Sequence, residues 1–262
     1  MTTRPPTFSN EAPILLLPPS EGKALDARAT PRRTGGSAPA GWDPGDGAFG
    51  SLADQRFAVV EALSAASGGT EKLLGVKGNH LLRAQSANSA LPGAPTLPAW
   101  QRYTGVVWDH LDPATLSAVA RRRIVVVSGL LGLVRGDDPV PDYRLRMSAN
   151  LPPLGKLSTW WREVLTETLR RAARRKVLVD LLPQEHSAAL NTSDLLQGVK
   201  VQGVKVQGVK VSLIDRSGRP GAHFAKAAKG ELARAILTDG VDVLHSWRHE
   251  RFEIEVTPLG QE

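Results

Sequence analysis

The sequence predicts an α+β fold in which one mixed β-sheet is surrounded by helices. Three apolar runs carry the strand prediction, because short apolar runs bounded by polar or proline-rich segments are typical of buried strands; they are residues 14–17, 124–127 and 177–182. Helical segments lie between them without a clean βαβ repeat, which favours a mixed sheet. The length of 262 residues allows one large domain or two small ones. We predict a flexible tail over 1–12 and a single domain over 13–262.

The other elements follow from periodicity and from turn residues. Apolar spacing over residues 52–66 predicts an amphipathic helix that ends at Gly68-Gly69, and a second helix is expected after Asn79. Residues 158–171 are predicted to form a helix whose N-cap is the serine at its start. Residues 252–256 alternate as a half-exposed strand should.

One internal repeat is obvious, because residues 197–211 consist of three copies of Gln-Gly-Val-Lys-Val. A period of five residues is too short for a solenoid. Each Val-Lys-Val alternates as in a strand, and each Gln-Gly interrupts it. We interpret the repeat as a structural expansion within an edge hairpin or loop, with three lysines that add to the basic surface.

The charge balance favours an anionic partner. Lys and Arg number 33 and Asp and Glu number 26, which gives a net charge of +7, and such an excess favours DNA or anionic small molecules. A genome whose base composition favours arginine codons would produce the same charge balance without any binding function. The sequence has no cysteine, which excludes disulfides, thiolate nucleophiles, iron–sulfur clusters and cysteine-type zinc sites.

Neither a membrane nor a cofactor is indicated. The N-terminus lacks the apolar core of a signal peptide, and the longest apolar stretch, 124–134, is interrupted by Ser128 and too short to span a bilayer. A cytoplasmic location is therefore expected. His245 and His249 are spaced i, i+4 but no third ligand is near them in the sequence, so we predict neither a metal nor a cofactor.

The loop after the first strand, Pro-Pro-Ser-Glu-Gly-Lys, is the first candidate site. It is not a P-loop, because Leu17 stands where the first glycine would be and Ala24 replaces the hydroxyl that binds Mg²⁺. Lys23 is instead predicted to project from the strand end into a shared pocket, since loops at strand ends often carry function.

Residues 73–81, Leu-Leu-Gly-Val-Lys-Gly-Asn-His-Leu, form the second candidate. Their glycine spacing is that of a helix-hairpin-helix, in which a glycine turn brings backbone amides against a DNA phosphate. Lys77 would add charge there. Two ordinary helices with glycine caps would show the same pattern.

Two clusters of charged residues are the remaining candidate sites. The first surrounds Arg135 and Asp138, and continues to Tyr143 and Arg144; it can bind an anion, support catalysis, or form a structural ion-pair network. The second places Lys226 and Lys229 on one helical face, where a merely solvated face is equally consistent with the sequence.

Several segments taken together resemble the YaaA family of peroxide-stress-response proteins. The resemblance extends from residue 14 to about residue 256 and lies in the order of these blocks: Leu-Leu-Pro-Pro-Ser-Glu-Gly-Lys (16–23), Arg-Tyr-Thr-Gly-Val-Val (102–107), Val-Ser-Gly-Leu-Leu-Gly-Leu-Val-Arg (127–135), Tyr-Arg-Leu-Arg-Met (143–147), Trp-Trp (160–161) and His-Phe-Ala-Lys-Ala-Ala-Lys-Gly (223–230). Gly136 and Leu131 depart from the family pattern, as does the repeat.

The resemblance implies a single-domain fold with a positively charged cleft, and binding of double-stranded or structured DNA through that cleft and a helix-hairpin-helix. It also implies a role in protection against hydrogen peroxide. Carried over by motif, the site positions are Lys23, Arg102, Tyr103, Ser128, Arg135, Tyr143, Arg144, Lys226 and Lys229.

The sequence is therefore consistent with two functions. The first is a DNA-binding stress protein with little sequence specificity, with DNA or anion contacts from Lys23, Lys77, Arg102, Arg135, Arg144, Lys226 and Lys229. The alternative is an enzyme that acts on a nucleotide, nucleobase or other anionic small molecule, with catalytic candidates Lys23, Ser128, Asp138, Tyr143 and Arg144.

Two structural expectations separate these functions. Lys23, Arg135, Arg144 and Lys226 are expected to line one cleft. A carboxylate inside that cleft, Asp138 or Asp142, would favour catalysis, because phosphate clamping has no use for a negative charge. The oligomeric state cannot be inferred.

Overall fold

The computed structural model describes residues 12–25, 41–174, 176–196, 207–216 and 222–259. Its strands are β1 (Ile14–Leu17), β2 (Thr96–Pro98), β3 (Ile124–Ser128), β4 (Gly132–Arg135), β5 (Pro139–Pro141), β6 (Asn150–Leu151), β7 (Gly155–Lys156), β8 (Val177–Asp180), β9 (Gln207–Asp215) and β10 (Phe252–Pro258). Its α-helices are α1 (Ala53–Ala65), α2 (Glu71–Leu74), α3 (Gly78–Ser89), α4 (Ala99–Arg102), α5 (Val106–Leu111), α6 (Ala118–Arg121), α7 (Leu157–Ala172), α8 (Gln184–Ser187), α9 (Thr192–Leu196) and α10 (Ala222–Asp239).

A six-stranded mixed sheet with the order β10-β9-β8-β1-β3-β4 organises these elements. Its four central strands are parallel, since β1 pairs in parallel with β3 and β8, and β8 pairs in parallel with β9. The edge strands β4 and β10 are antiparallel to their neighbours. Helices flank the sheet, as the α+β prediction requires.

The chain changes direction within the sheet between β1 and β8. After β1 it moves to β3 on one side, and after β8 it moves to β9 on the other side. The loops that follow β1 and β8 therefore diverge and leave a crevice at the carboxyl ends of these two strands. In open sheets with parallel strands, ligands bind in such a crevice.

The three predicted buried strands are confirmed. Every residue of β1, β3 and β8 is buried, because helices cover both faces of the parallel part of the sheet. The apolar side chains belong to one cluster of buried residues that runs from Ile14 to Leu259. A single core of this kind agrees with a single domain over the described residues.

The predicted helices α1 and α3 and the half-exposed strand β10 are also present. The prediction of Ser158 as a helix cap is wrong. Helix α7 begins at Leu157 and its N-cap is Lys156, so that Ser158 lies inside the first turn and is buried. The short hairpin of β6 and β7 leads directly into α7, which places the helix start before the serine.

The repeat is only partly within the described residues, because residues 197–206 lie outside them. The third copy forms the start of β9, where Val209 and Val211 are buried. Since β9 is paired on both sides, with β8 and β10, the prediction of an edge hairpin or loop is wrong for this copy. Its Val-Lys-Val alternation was correctly assigned to a strand.

Deletion of one five-residue copy is expected to change the free energy of unfolding by less than about 1 kcal/mol, because loop length costs little entropy. The copies are identical, so any deletion leaves Gln-Gly-Val-Lys-Val available for β9. Urea unfolding measures the effect. As a control, Val209→Ala should cost about 2 kcal/mol in either background, since it truncates a buried side chain. A loss of several kcal/mol on deletion would show that the earlier copies are packed.

Within the part of the chain that the structure describes, no helix combines the length and apolar character needed to cross a bilayer.

Candidate functional site

The carboxyl ends of the parallel strands bring the first site residues together. The loop from Ser20 to Lys23 follows β1, Ser128 is the last residue of β3, and Asp180 is the last residue of β8. Parallel strands place these ends at one edge of the sheet. Polar residues that are far apart in the sequence therefore meet at the crevice.

Lys23 is held at this edge by backbone contacts. It forms an isolated antiparallel bridge with Tyr103, and its ammonium donates a hydrogen bond to the Ser20 carbonyl at 3.0 Å. The Ser20 hydroxyl accepts from the Thr104 amide at 2.9 Å and also contacts the Gly22 carbonyl. These bonds fix the loop against the segment that follows α4.

Two tyrosine rings form the floor under the Lys23 ammonium. The nitrogen lies 4.2 Å from the Tyr143 ring centre and 5.8 Å from the Tyr103 ring centre. Such cation–π contacts favour the charged amine. Desolvation by burial opposes them and is the larger effect, so that the pKa of Lys23 falls from its ordinary value to about 7. Asp142 raises this pKa, whereas the charge of Arg144 lowers it further.

A chain of three hydroxyls lies behind the lysine. The Ser128 hydroxyl is 2.7 Å from the Tyr143 hydroxyl, which is 3.0 Å from the Tyr103 hydroxyl. Because the Ser128 oxygen accepts from the amides of Leu130 and Leu131 at 3.3 and 3.2 Å, its own hydrogen is directed to Tyr143. Burial raises the pKa of Tyr143 to about 12 and raises that of Tyr103 well above its ordinary value. Both phenols are therefore neutral near pH 7.

An open cleft of about 350 Å³ lies over this arrangement. The charged and titratable side chains that line it are Glu21, Lys23, His80, Arg83, Asp142, Tyr143 and Arg144. Two ion pairs cross its wall, Arg83 to Asp142 and Arg144 to Glu21, both at 3.2 Å.

A smaller pocket of about 80 Å³ adjoins the cleft and shares Glu21, Lys23, Tyr143 and Arg144 with it. Its other side is formed by residues after β8, among them His186. It therefore occupies the crevice between β1 and β8, where the strand order changes direction.

Arg144 connects the cleft to the helical element α2–α3. The Arg144 amide donates to the Asn88 side-chain oxygen at 2.9 Å, and the Asn88 side-chain amide donates to the Arg144 carbonyl at 2.9 Å. The Arg144 guanidinium also donates to the Leu74 carbonyl at the end of α2 at 3.2 Å. A ligand that moves Arg144 is thus coupled to this element.

The element α2–α3 contains the two helices expected for residues 73–81. Helix α2 is one turn long and ends at Gly75 with φ of 66°, and α3 begins at Gly78 after Lys77 as its N-cap. Lys77 is largely exposed and pairs with Glu71 at 3.0 Å.

Arg102 does not face the cleft. It is fully buried, and its guanidinium donates to the carbonyls of Val140, Ala24 and Pro95 at 3.0, 2.6 and 3.2 Å. The structure therefore corrects the prediction that Arg102 contacts an anion directly. Arg102 supports the wall of the site by joining three segments of backbone.

Arg135 and Asp138 lie away from the cleft, and the expectation that Arg135 shares it with Lys23 is wrong. Strand β4 runs antiparallel to β3 and pairs Arg135 with Val125, which returns the chain towards the opposite edge of the sheet. Arg135 there pairs with Asp137 at 2.6 Å.

Asp138 has a structural environment that corrects its candidacy as a catalytic residue. It is buried, and its carboxylate accepts from the amides of Ala48 and Arg135 at 2.9 and 2.8 Å. Desolvation raises its pKa, and these two hydrogen bonds act in the other direction. Asp142, by contrast, lines the cleft, which is the position that favours catalysis.

Lys226 and Lys229 lie at the start of α10 and line neither pocket, so the expectation that Lys226 shares the cleft is also wrong. The Lys229 ammonium donates to the Leu181 carbonyl at 2.8 Å just after β8. Desolvation lowers the pKa of Lys229, although the neighbouring Asp180 raises it. Lys226 is exposed, and its predicted contact with DNA stays a prediction.

Sequence reasoning missed Asn88 and His186. Asn88 reaches Arg144 across 56 positions of sequence, and no local pattern marks it. Burial lowers the pKa of His186 to about 4. The one feature of the sequence that could have indicated His186 as a site residue is its position shortly after the third buried strand. Among the described residues, no group of three or more His, Asp or Glu side chains is arranged to hold a metal ion.

The fold and the site define a class: an α+β protein with a mixed sheet whose carboxyl edge carries a lysine, two tyrosines and arginines around an open cleft. A family model described as peroxide stress protein YaaA matches residues 14–255. The chain therefore belongs to the YaaA family of peroxide stress proteins, as the resemblance predicted.

Two relatives match most of the chain, and a third matches about a third of it. A UPF0246 protein of Streptomyces coelicolor is 35% identical over 255 residues, which cover 92% of each chain. A UPF0246 protein of Corynebacterium efficiens is 33% identical over 231 residues, with 86% of this chain and 85% of the relative covered. A UPF0246 protein of Rickettsia bellii is 30% identical over 100 residues, which are 36% of this chain and 40% of the relative.

Proposed function

We propose that this protein binds DNA through the phosphate backbone, with little sequence specificity, as part of the response to peroxide. The observation that carries the proposal is the cleft at which Lys23, His80, Arg83 and Arg144 meet. These basic side chains come from the loop after β1, from α3 and from the segment after β5, and Glu21 and Asp142 line the same cleft. Membership of a peroxide stress family supports the stress-related role.

The ion pairs of the cleft leave its arginines available to phosphate. Each pair has one exposed partner, since Glu21 and Arg83 are 80% and 53% exposed, whereas Arg144 and Asp142 are 21% and 19% exposed. An exposed partner can leave the pair at little cost in stability. A phosphate, which accepts two parallel hydrogen bonds from a guanidinium, can replace Glu21 at Arg144. Phosphate contacts of this kind are independent of base sequence.

The α2–α3 element extends this surface and is proposed to act as the helix-hairpin-helix. Positive φ at Gly75 and Gly78 permits the tight turn between the helices. An added Cβ would meet no atom within 4 Å at Gly78 but would meet the Arg146 guanidinium at Gly75, so the turn is open to a ligand backbone on the Gly78 side. Lys77 lies at this turn and would contact phosphate in place of Glu71.

Lys77→Ala and Arg83→Ala are each expected to weaken binding to duplexes of any sequence. Each should also reduce the slope of log K against log salt by about 1, because one phosphate contact is lost. Fluorescence anisotropy at several salt concentrations measures both quantities. The same titration of Lys226→Ala decides whether the DNA path reaches α10.

Lys176→Ala is the matched control, because Lys176 is exposed and immediately precedes β8, at the amino edge of the parallel strands. It has the same change in net charge, so its salt slope should stay at the wild-type value. If Lys176→Ala reduced the salt slope by as much as Lys77→Ala and Arg83→Ala, specific use of the cleft would be contradicted. Binding would then depend on the net charge alone.

A second function, an enzyme that acts on an anionic small molecule or nucleotide, is favoured by a separate observation. The smaller pocket lies at the change of strand direction, contains the desolvated amine of Lys23, and has Asp142 in the adjoining cleft. Phosphate clamping requires neither a desolvated lysine nor a carboxylate in the groove.

A further inference from the structure

Lys23 combines two properties that a surface lysine lacks. Its ammonium is fixed by the Ser20 carbonyl and the Tyr143 ring, and yet it lines both the cleft and the smaller pocket. Lys229 is also desolvated and also donates to a carbonyl, that of Leu181, but it lines neither pocket. Lys23 is therefore positioned to react with a ligand as well as to attract one.

We propose that Lys23 is a nucleophile that forms an imine with the aldehyde of a phosphorylated sugar bound in the cleft. The inference deepens the proposed function, on which it rests for the anionic ligand. Arg83 and Arg144 supply the phosphate contacts: Arg83 lines the cleft, and Arg144, like Lys23, lines both the cleft and the smaller pocket. The same chemistry is offered by a free sugar phosphate and by an abasic site in DNA, where the open deoxyribose carries an aldehyde between two phosphates.

The reaction balances without an additional reagent. The amine nitrogen of Lys23 adds to the carbonyl carbon, and a proton passes from nitrogen to the former carbonyl oxygen, which gives a carbinolamine. Loss of this hydroxyl as water then forms the carbon–nitrogen double bond. One aldehyde and one amine yield one imine and one water, and no oxidant or reductant is consumed.

The groups around Lys23 suit these reaction steps. A neutral amine is required for attack, and because desolvation lowers the pKa of Lys23 to about 7, the neutral form is populated near pH 7. The charges that act on it are those of Asp142 and Glu21, which raise this pKa, and of Arg144 and the buried Arg102, which lower it. The two neutral tyrosines lie under it, and the other titratable side chains that line the same two pockets are His80, Arg83, Arg146, Glu185 and His186. Glu21 and Asp142 both line the cleft with Lys23 and are the carboxylates available to carry the transferred proton.

Reductive trapping tests the proposal. The intact protein is incubated with sodium cyanoborohydride and a limiting amount either of 2-deoxyribose 5-phosphate or of a duplex oligonucleotide that contains one abasic site, and modified peptides are mapped by mass spectrometry. We expect Lys23 to be modified at least ten times faster than Lys176. The added mass is that of the aldehyde less one oxygen atom.

Variants and pH distinguish the outcomes. Lys23→Arg, which keeps the charge but not the nucleophile, should lose the adduct, and Lys176→Arg should retain it. In the wild-type protein, trapping at Lys23 relative to the exposed lysines should be greatest up to about pH 7 and should fall above it, because Lys23 is then already neutral whereas a lysine with an ordinary pKa of about 10.4 continues to gain neutral amine. The ratio cancels the pH dependence of the reductant and needs no variant. Trapping with the free sugar only identifies a small-molecule enzyme, and trapping with the oligonucleotide only identifies action on DNA; both results support the imine.

Equal modification of Lys23 and Lys176 with both probes, or none at Lys23, would overturn the proposal. Binding of an intact duplex is measured on the same preparation. Retained duplex binding without trapping would reject the imine and leave the DNA-binding function standing. Trapping without duplex binding would support the imine and reject the DNA-binding function.

Discussion

Binding of an intact DNA duplex is expected to weaken about tenfold between about pH 6 and about pH 9, and Lys23→Met should remove this pH dependence. The reason is the pKa of Lys23, which burial lowers to about 7. Below that pH the amine is charged and can donate to phosphate, and above it the charge is lost. A charge-assisted hydrogen bond contributes about 1.5 kcal/mol or more, which corresponds to about tenfold in affinity.

The variant should therefore bind about tenfold more weakly than the wild type at the acidic end and equally well at the basic end. Lys176→Met, which carries the same charge change at the opposite edge of the sheet, should keep the wild-type profile. Histidines also titrate in this range, so His80→Gln is measured in parallel. A pH dependence that persists in Lys23→Met and disappears in His80→Gln would assign the effect to His80.

The direction of this profile separates the two uses of Lys23. Phosphate binding needs the ammonium and declines as the pH rises, whereas imine formation needs the neutral amine and increases over the same range. Measuring duplex binding and aldehyde trapping over the same pH range therefore reports on the charged and the neutral form of the Lys23 side chain.

Arg102→Met is expected to lower the free energy of unfolding by about 3–5 kcal/mol, because it leaves buried carbonyls without their donor. Three carbonyls, those of Val140, Ala24 and Pro95, accept from the Arg102 guanidinium. Urea unfolding monitored by tryptophan fluorescence measures the loss. Arg102→Lys should also be destabilising, since an ammonium cannot reproduce the planar fork.

Arg83→Met is the control for this experiment, because Arg83 has a side chain that is 53% exposed and should change stability by no more than about 0.5 kcal/mol. For the salt dependence of DNA binding the expectation is reversed: Arg83→Met should reduce the slope and Arg102→Met should not, provided that it folds. A stable Arg102→Met with a reduced slope would return Arg102 to the set of direct phosphate contacts.

Much of the fold could be predicted because its central strands are continuous apolar runs. Strands β1, β3 and β8 are buried on both faces, and such strands are visible without alignment to any other chain. Strand β4 was not predicted, since Gly-Leu-Val-Arg continues the apolar run of β3 after a short turn. Strand β9 was partly hidden by the repeat, whose three equal copies give no indication of which one is packed.

The site was predicted where it depends on strand ends and missed where it depends on chain reversal. Lys23 and Ser128 follow or end parallel strands, and they do meet at one edge. Arg135 also follows an apolar run, but that run contains a turn and an antiparallel strand, which carries it to the other edge. A reversal of direction within an apolar segment has no signature in hydrophobicity alone.

By itself, the sequence determined the fold class, the central strands, the family and the lysine at the end of the first strand, because these depend on local patterns and on the order of short blocks. Only the tertiary structure decided which basic residues share a cleft, that Arg102 is buried beneath it, and that the Lys23 amine is desolvated over two tyrosines. Burial and the field of neighbouring charges arise from residues distant in the chain, such as Tyr103, Tyr143 and Asp142. The chemistry of an amine depends on those surroundings, and no linear pattern contains them.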